Sequence, residues 1–258
     1  SHGYYVIAVA EGAACDAVAT GRGNCDFGDY TLFCMAPVAM ASALVGTVAM
    51  PRTLRMLAAF NPTLLARVPH ESDAPDYTFF GYSPHEALHM SVAEYGIMSG
   101  CVGDIVGELP HENDSYKGAI LARQVIRILD YAQRFYDRQF AMREEACKAA
   151  VEFYLDSMDD YIASGRMASE GVPSVGECAA VVGMSEAYFS DMLLFVTGRT
   201  HECLMTERRI EAARRMLASR CVSVRSVAEH LAFGSEAYFR YIYKKITGRS
   251  PEQGAADA

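Results

Sequence analysis

Two short sequences occur twice in this chain, each time fifty residues apart. Ser185-Glu186-Ala187-Tyr188-Phe189 returns as Ser235-Glu236-Ala237-Tyr238-Phe239, and Thr197-Gly198-Arg199 returns as Thr247-Gly248-Arg249. Repetition at one period implies one supersecondary unit built twice. Each copy follows the same plan. Ser174 or Ser223 can cap a short helix by accepting from its free amides, and Val175, Cys178, Val181 and Val182, or Val224, Val227, Ala228 and Leu231, form its apolar face. A tight turn comes next, Gly183-Met184 or Ala232-Phe233-Gly234. Ser185 or Ser235 then caps a second helix with Phe189, Met192 and Leu193, or Phe239, Ile242 and Tyr243, pointing inward, and Gly198 or Gly248 ends it. This spacing predicts a helix-turn-helix, whose second member enters the major groove of DNA. Between the copies, about His201 to Ser219 reads as one stiff helix with Leu204, Ile210, Ala213 and Leu217 buried, which would hold two recognition helices about 34 Å apart on one face of a duplex.

The charge balance fits such a unit once it is divided along the chain. The net charge is −9. From residue 172 onward there are 11 Lys and Arg against 10 Asp and Glu, a balance of +1, which leaves −10 for residues 1–171. The part expected to approach phosphates is thus spared the net negative charge, because it carries proportionally more Lys and Arg. A length of 258 residues implies two domains. No apolar run is long enough to span a membrane and nothing resembles a signal peptide, so no membrane partner and a cytoplasmic location are expected. The eight cysteines are scattered and never spaced as C-x-x-C. They read as small core residues, with neither metal nor cofactor expected.

Upstream, Tyr4 to Val9, Tyr30 to Met35 and Leu54 to Phe60 are apolar runs broken by Gly28-Asp29 and Asn61-Pro62, the pattern of short strands. From Lys117 to about Ile162 the period becomes helical. Ile120, Val125, Ile128, Leu129, Ala132, Phe135 and Tyr136 recur on one side, and Arg123, Arg127, Arg134 and Asp137 on the other. A second helix, about Glu144 to Ile162, follows, and the residues from Ser164 to Pro173 read as a linker. The expected domains are a sensor at 1–116, a helical dimerisation and linker segment at 117–163, and a DNA-binding domain at 172–258.

The repeated unit resembles the AraC/XylS class of transcription regulators. Their Ala-x-x-Leu-Gly-Met-Ser-x-x-Tyr-Leu-Ser stretch stands here as Ala179 to Ser190, their Ile-Ala-x-x-x-Gly-Phe stretch as Val227 to Phe233, and their closing Gly-x-Ser-Pro as Gly248 to Pro251. Tyr77 to Ser91, Arg134 to Phe140 and Gly171 to Val175 are similar to segments of one subgroup with an N-terminal cupin-like sensor. The resemblance implies an α+β protein: a β-rich cupin-like barrel with a helical pair, then an all-α double helix-turn-helix domain. It implies a ligand-responsive regulator, not an enzyme, acting as a homodimer on double-stranded DNA, with a small-molecule effector and RNA polymerase as partners.

By the same resemblance the base-facing residues are Glu186, Ala187, Ser190 and Asp191 in the first copy and Glu236, Ala237, Arg240 and Tyr241 in the second. Arg240 could pair bidentately with guanine, and Lys244 and Lys245 could neutralise phosphates. The first copy departs from the family pattern, with Asp191 where Arg is common and Leu194-Phe195 where a basic pair is usual. Inward strand positions Tyr5, Ile7, Phe33 and Met35 are the candidate walls of an effector pocket. A rival signal is His85-Glu86-Ala87-Leu88-His89, which fits the zinc-protease pattern H-E-x-x-H, two His one helical turn apart with Glu as base. The alternatives to a regulator are therefore a zinc metallohydrolase, or an adaptor that keeps the fold without binding DNA.

Overall fold

A computed structural model describes residues 3–12, 26–37, 53–68, 77–218 and 222–256. Cys15, Cys25 and Cys221 lie outside them. The chain divides into two compact units, residues 1–145 and 146–258.

The first unit is built on an antiparallel sheet of β1 (Tyr5–Glu11), β2 (Tyr30–Met35), β3 (Leu54–Phe60) and β4 (Leu88–Met90), in the order β3-β1-β2-β4. The three apolar runs of the sequence are three of these strands. Among the described residues the sheet is open, and the expected closure into a barrel is not seen. Helices α1 (Val92–Glu108) and α2 (Lys117–Met142), with Phe79 and Phe80 from a turn ahead of β4, supply the rest of the core. Met98 and Cys101 of α1 and Val125, Ile128, Leu129, Ala132, Phe135 and Tyr136 of α2 pack with Ile7, Val9, Leu32, Met56 and Phe60 of the sheet. The helical period predicted that stripe, except that Ile120 is exposed.

The end of α2 fastens the sheet edge. Gln139, fully buried, accepts from the His89 amide at 2.8 Å and donates to the Ala87 carbonyl at 3.2 Å, so its side chain substitutes for a further strand beside β4. Arg138 donates to the His89 carbonyl at 2.7 Å and to both Glu94 oxygens at 3.1 and 3.0 Å. Arg143 forms a forked pair with the buried Asp26, whose carboxylate also lies 3.9 Å from His89 Nδ1.

The second unit holds most of α3 (Glu144–Ala163), then α4 (Met167–Glu170), α5 (Val175–Val181), α6 (Glu186–Thr197), α7 (His201–Ala218), α8 (Val224–His230), α9 (Glu236–Thr247) and α10 (Pro251–Ala256). The two helices read together as the segment 117–163 therefore fall mainly in different units. The cause is visible in α3, whose stripe Cys147, Val151, Tyr154, Met158 and Ile162 is buried. Tyr154 packs edge-on against Phe189 of α6, with ring centres 5.1 Å apart. Its hydroxyl lies 3.0 Å from His201 Nδ1, while His201 Nε2 lies 3.1 Å from the Pro173 carbonyl. A neutral imidazole that donates through Nε2 and accepts through Nδ1 satisfies all three groups.

Candidate nucleic-acid interface

Four caps set the helix starts of the two copies. Ser174 accepts from the Glu177 amide while Glu177 accepts from the Ser174 amide at 2.8 Å, a capping box. That backbone hydrogen bond, with a second from the Ser174 hydroxyl, holds the Glu177 carboxyl below its ordinary pKa. Ser185, Ser223 and Ser235 accept from the amides of Tyr188, Ser226 and Tyr238. At the other ends the repeated Thr-Gly-Arg has a single structural meaning. Gly198 and Gly248 take left-handed φ of 67° and 76° and donate to the carbonyls of Leu194 and Lys244. Thr197 and Thr247 donate to the carbonyls of Leu193 and Tyr243 and accept from the amides of Arg199 and Arg249.

The turns correspond as well. Met184 N–H donates to the Ala179 carbonyl in the first copy, and Phe233 N–H to the Ala228 carbonyl in the second. Gly183 has φ 71°, whereas its counterpart Ala232 has φ 53°, the one positive φ at a non-glycine among the described residues. The second turn has an extra fastening. Arg209, projecting from α7, donates to the Leu231 carbonyl at 2.8 Å and lays its guanidinium 3.8 Å from the centre of the Phe233 ring. Burial lowers its pKa to about 10, which leaves it charged at neutral pH. The sequence reading missed Arg209. The available signal was a basic residue on the buried side of a helix whose stripe, Leu204, Ile210, Ala213 and Leu217, is buried as expected.

The inward residues Phe189, Met192, Leu193, Phe239 and Tyr243 are buried, while Ile242 is half-buried. Val181, expected on the apolar face of α5, is 50% exposed. On α6, Glu186 is exposed and Ala187, Ser190 and Asp191 are half-buried. On α9, Ala237, Tyr241, Lys244 and Lys245 are exposed and Glu236 and Arg240 half-buried. Ala187, Ser190 and Asp191, like Ala237, Arg240, Tyr241, Lys244 and Lys245, follow one another at helical spacing along one outward flank, whereas Glu186 and Glu236 stand seven residues before the buried Leu193 and Tyr243. Arg240 is engaged by two acids: it donates to Glu236 at 2.8 and 2.9 Å and also pairs with Glu252 of α10, and these carboxylates raise its pKa.

The proposed pocket walls are not brought together. Tyr5 and Ile7 face the helix-packed core, whereas Phe33 and Met35 pair in register with Ala8 and Val6 and face the opposite side of the sheet. Side chains alternate along a strand, and residues paired across it share a face, so odd positions of β1 and of β2 point in opposite directions here.

The H-E-x-x-H match is not a helical metal site. Pro84–Glu86 is a single 3-10 turn and Leu88–Met90 a strand, so His85 and His89 do not stand one turn apart on a helix. Glu86 closes a capping box on Ser83, accepting from its amide at 2.7 Å. His85 is exposed and His89 is buried beside Asp26. No three-residue metal-binding group occurs among the described residues.

Two capped helix-turn-helix copies joined by one helix define a double helix-turn-helix unit. Residues 178–255 match a family model described as a helix-turn-helix domain. Among solved structures, one similar chain is the C-terminal domain of AraT, a response regulator from Geobacillus stearothermophilus. It is 25% identical, with 41% of this chain and 85% of that one covered and a TM-score of 0.34. A search of curated proteins gave no match. The C-terminal part of the chain carries a helix-turn-helix domain, which supports DNA-binding transcription regulation as its role. Among the described residues, no single helix is long and apolar enough to cross a membrane.

Proposed function

We propose that this protein is a cytoplasmic, sequence-specific transcription regulator that binds double-stranded DNA through residues 172–258. The observation that carries this reading is the pair of serine-capped helix-turn-helix copies, which lie almost wholly within the matched residues 178–255. Glu236, Ala237, Arg240, Tyr241, Lys244 and Lys245 of the second copy are the proposed contact residues. The N-terminal unit is proposed to be a cupin-like sensor for a small molecule, supported by the similarity of Tyr77 to Ser91 and Arg134 to Phe140 to one regulator subgroup. Effector binding would then shift the orientation or pairing of protomers and so the fit of the DNA unit to its site. A homodimer using exposed sides of α2 and α3, and contact with RNA polymerase, complete the proposal.

The test is selection of genomic fragments with purified protein, followed by affinity measurement on the enriched sequence over a range of salt. A shared motif is expected, with log K falling linearly with log salt as counterions are released. Absence of enrichment, or binding indifferent to salt, would overturn the reading in favour of an adaptor.

A further inference from the structure

Resting on the reading that this unit binds a duplex, we infer that only the second helix-turn-helix grips DNA, so that each chain engages one major groove and not two. The two copies preserve caps, turns and core, and their second helices correspond at an offset of fifty residues, but their outward flanks differ. On α9 that flank is Ala237, Arg240, Tyr241, Lys244 and Lys245. The corresponding positions of α6 are Ala187, Ser190, Asp191, Leu194 and Phe195. Leu194 and Phe195 are 53% and 43% exposed, so an apolar pair lies at the surface where the other copy presents two lysines.

Charge follows the same division. Residues 172–198 contain no Lys or Arg and three acids, Glu177, Glu186 and Asp191, whereas residues 222–248 contain Arg225, Arg240, Lys244 and Lys245 against Glu229 and Glu236. Affinity for a duplex comes mainly from cations that displace counterions from phosphate, and the first copy supplies only Arg199 at its very end, paired with Glu207. Nor does the start of α6 offer an anion site in compensation. The slot is capped by Ser185 and begins with Glu186, and position 190 holds a serine whose hydroxyl donates back to the Glu186 carbonyl at 2.8 Å. On α9 the equivalent Glu236 is neutralised by Arg240, four residues on. Placing α6 in a groove would set carboxylates against phosphates and bury Leu194 and Phe195 against a charged backbone.

The test uses the full chain on its selected site, with two readouts. Chemical footprinting counts the protected major-groove turns per bound chain. Affinity against salt is measured for Arg240→Ala, Lys244→Ala and the triple variant Asp191→Ala, Leu194→Ala, Phe195→Ala. One protected groove per chain is expected. Arg240→Ala should weaken binding about tenfold, and Lys244→Ala should reduce the salt slope by about 0.9. The triple variant should keep both slope and footprint, with affinity within about twofold, a change too small for a lost base contact. Two consecutive protected grooves per wild-type chain would overturn the inference even if the triple variant failed to fold, and so would a tenfold loss in a folded triple variant. Either result would leave the DNA-binding reading intact, whereas a wild-type chain without salt-dependent, selective binding would end both.

Discussion

Ala232 shows what one residue costs. It occupies the left-handed region in the turn of the second copy, where the first copy has Gly183. A Cβ in that region costs about 1–2 kcal/mol, of which glycine would return part while adding about 0.4–1 kcal/mol of unfolded-chain entropy to be overcome. Ala232→Gly should therefore stabilise the C-terminal unit by about 0.5–1 kcal/mol, visible as a higher urea midpoint at unchanged slope. Arg209 works against the same turn in the opposite sense. Arg209→Ala removes the donor to the Leu231 carbonyl and the cation over Phe233, and should destabilise by about 2–3 kcal/mol. Arg209→Lys should rescue little, because an ammonium cannot both stack flat on the ring and keep that donor geometry. Urea unfolding of the three variants checks both statements; a fully stable Arg209→Lys would show that charge alone holds the turn.

Among the elements, β4 and its clamp are the clearest case of structure hidden from sequence. A strand of three residues, all buried, has no alternation to read, and its histidine and the preceding glutamate imitate a zinc motif. Helix α1 escaped notice for a related reason: Gly96, Gly100, Gly103 and Gly107 dilute its pattern, although Ser91 and Glu94 do form the capping box that announces it. By contrast β2, β3 and the buried stripe of α2 were legible, because their periods are long enough to count. The pocket walls failed for want of register: Ile7 and Phe33 are each apolar and buried or half-buried, and only the pairing of Ala8 with Phe33 reveals that they face opposite sides. The clamp itself is testable. Gln139→Leu conserves bulk but leaves the His89 amide and the Ala87 carbonyl without their partner, which should cost about 2–4 kcal/mol for two buried groups. Hydrogen exchange should show loss of protection at His89 well before the β1–β2 ladder; equal protection in the variant would mean that pairing with β2 and the Arg138 contact hold β4 without Gln139.

Across the whole molecule the uneven charge becomes a kinetic property. Residues 1–171 carry −10 and residues 172–258 carry +1, so a duplex meets a repulsive field from most of the chain and attraction chiefly from α9. Such fields act on encounter more than on the docked complex. A fragment of residues 146–258, which forms its own compact unit, sheds most of that acid. It should associate with DNA faster than the full chain at low salt, with the gap narrowing as the screening length falls from about 30 Å at 0.01 M to about 3 Å at 1 M. Stopped-flow association rates of the two proteins on one labelled duplex provide the measurement. Equal rates at 0.01 M salt would mean that the N-terminal acid lies outside the approach path, and that its excess is a matter of solubility and not of regulation.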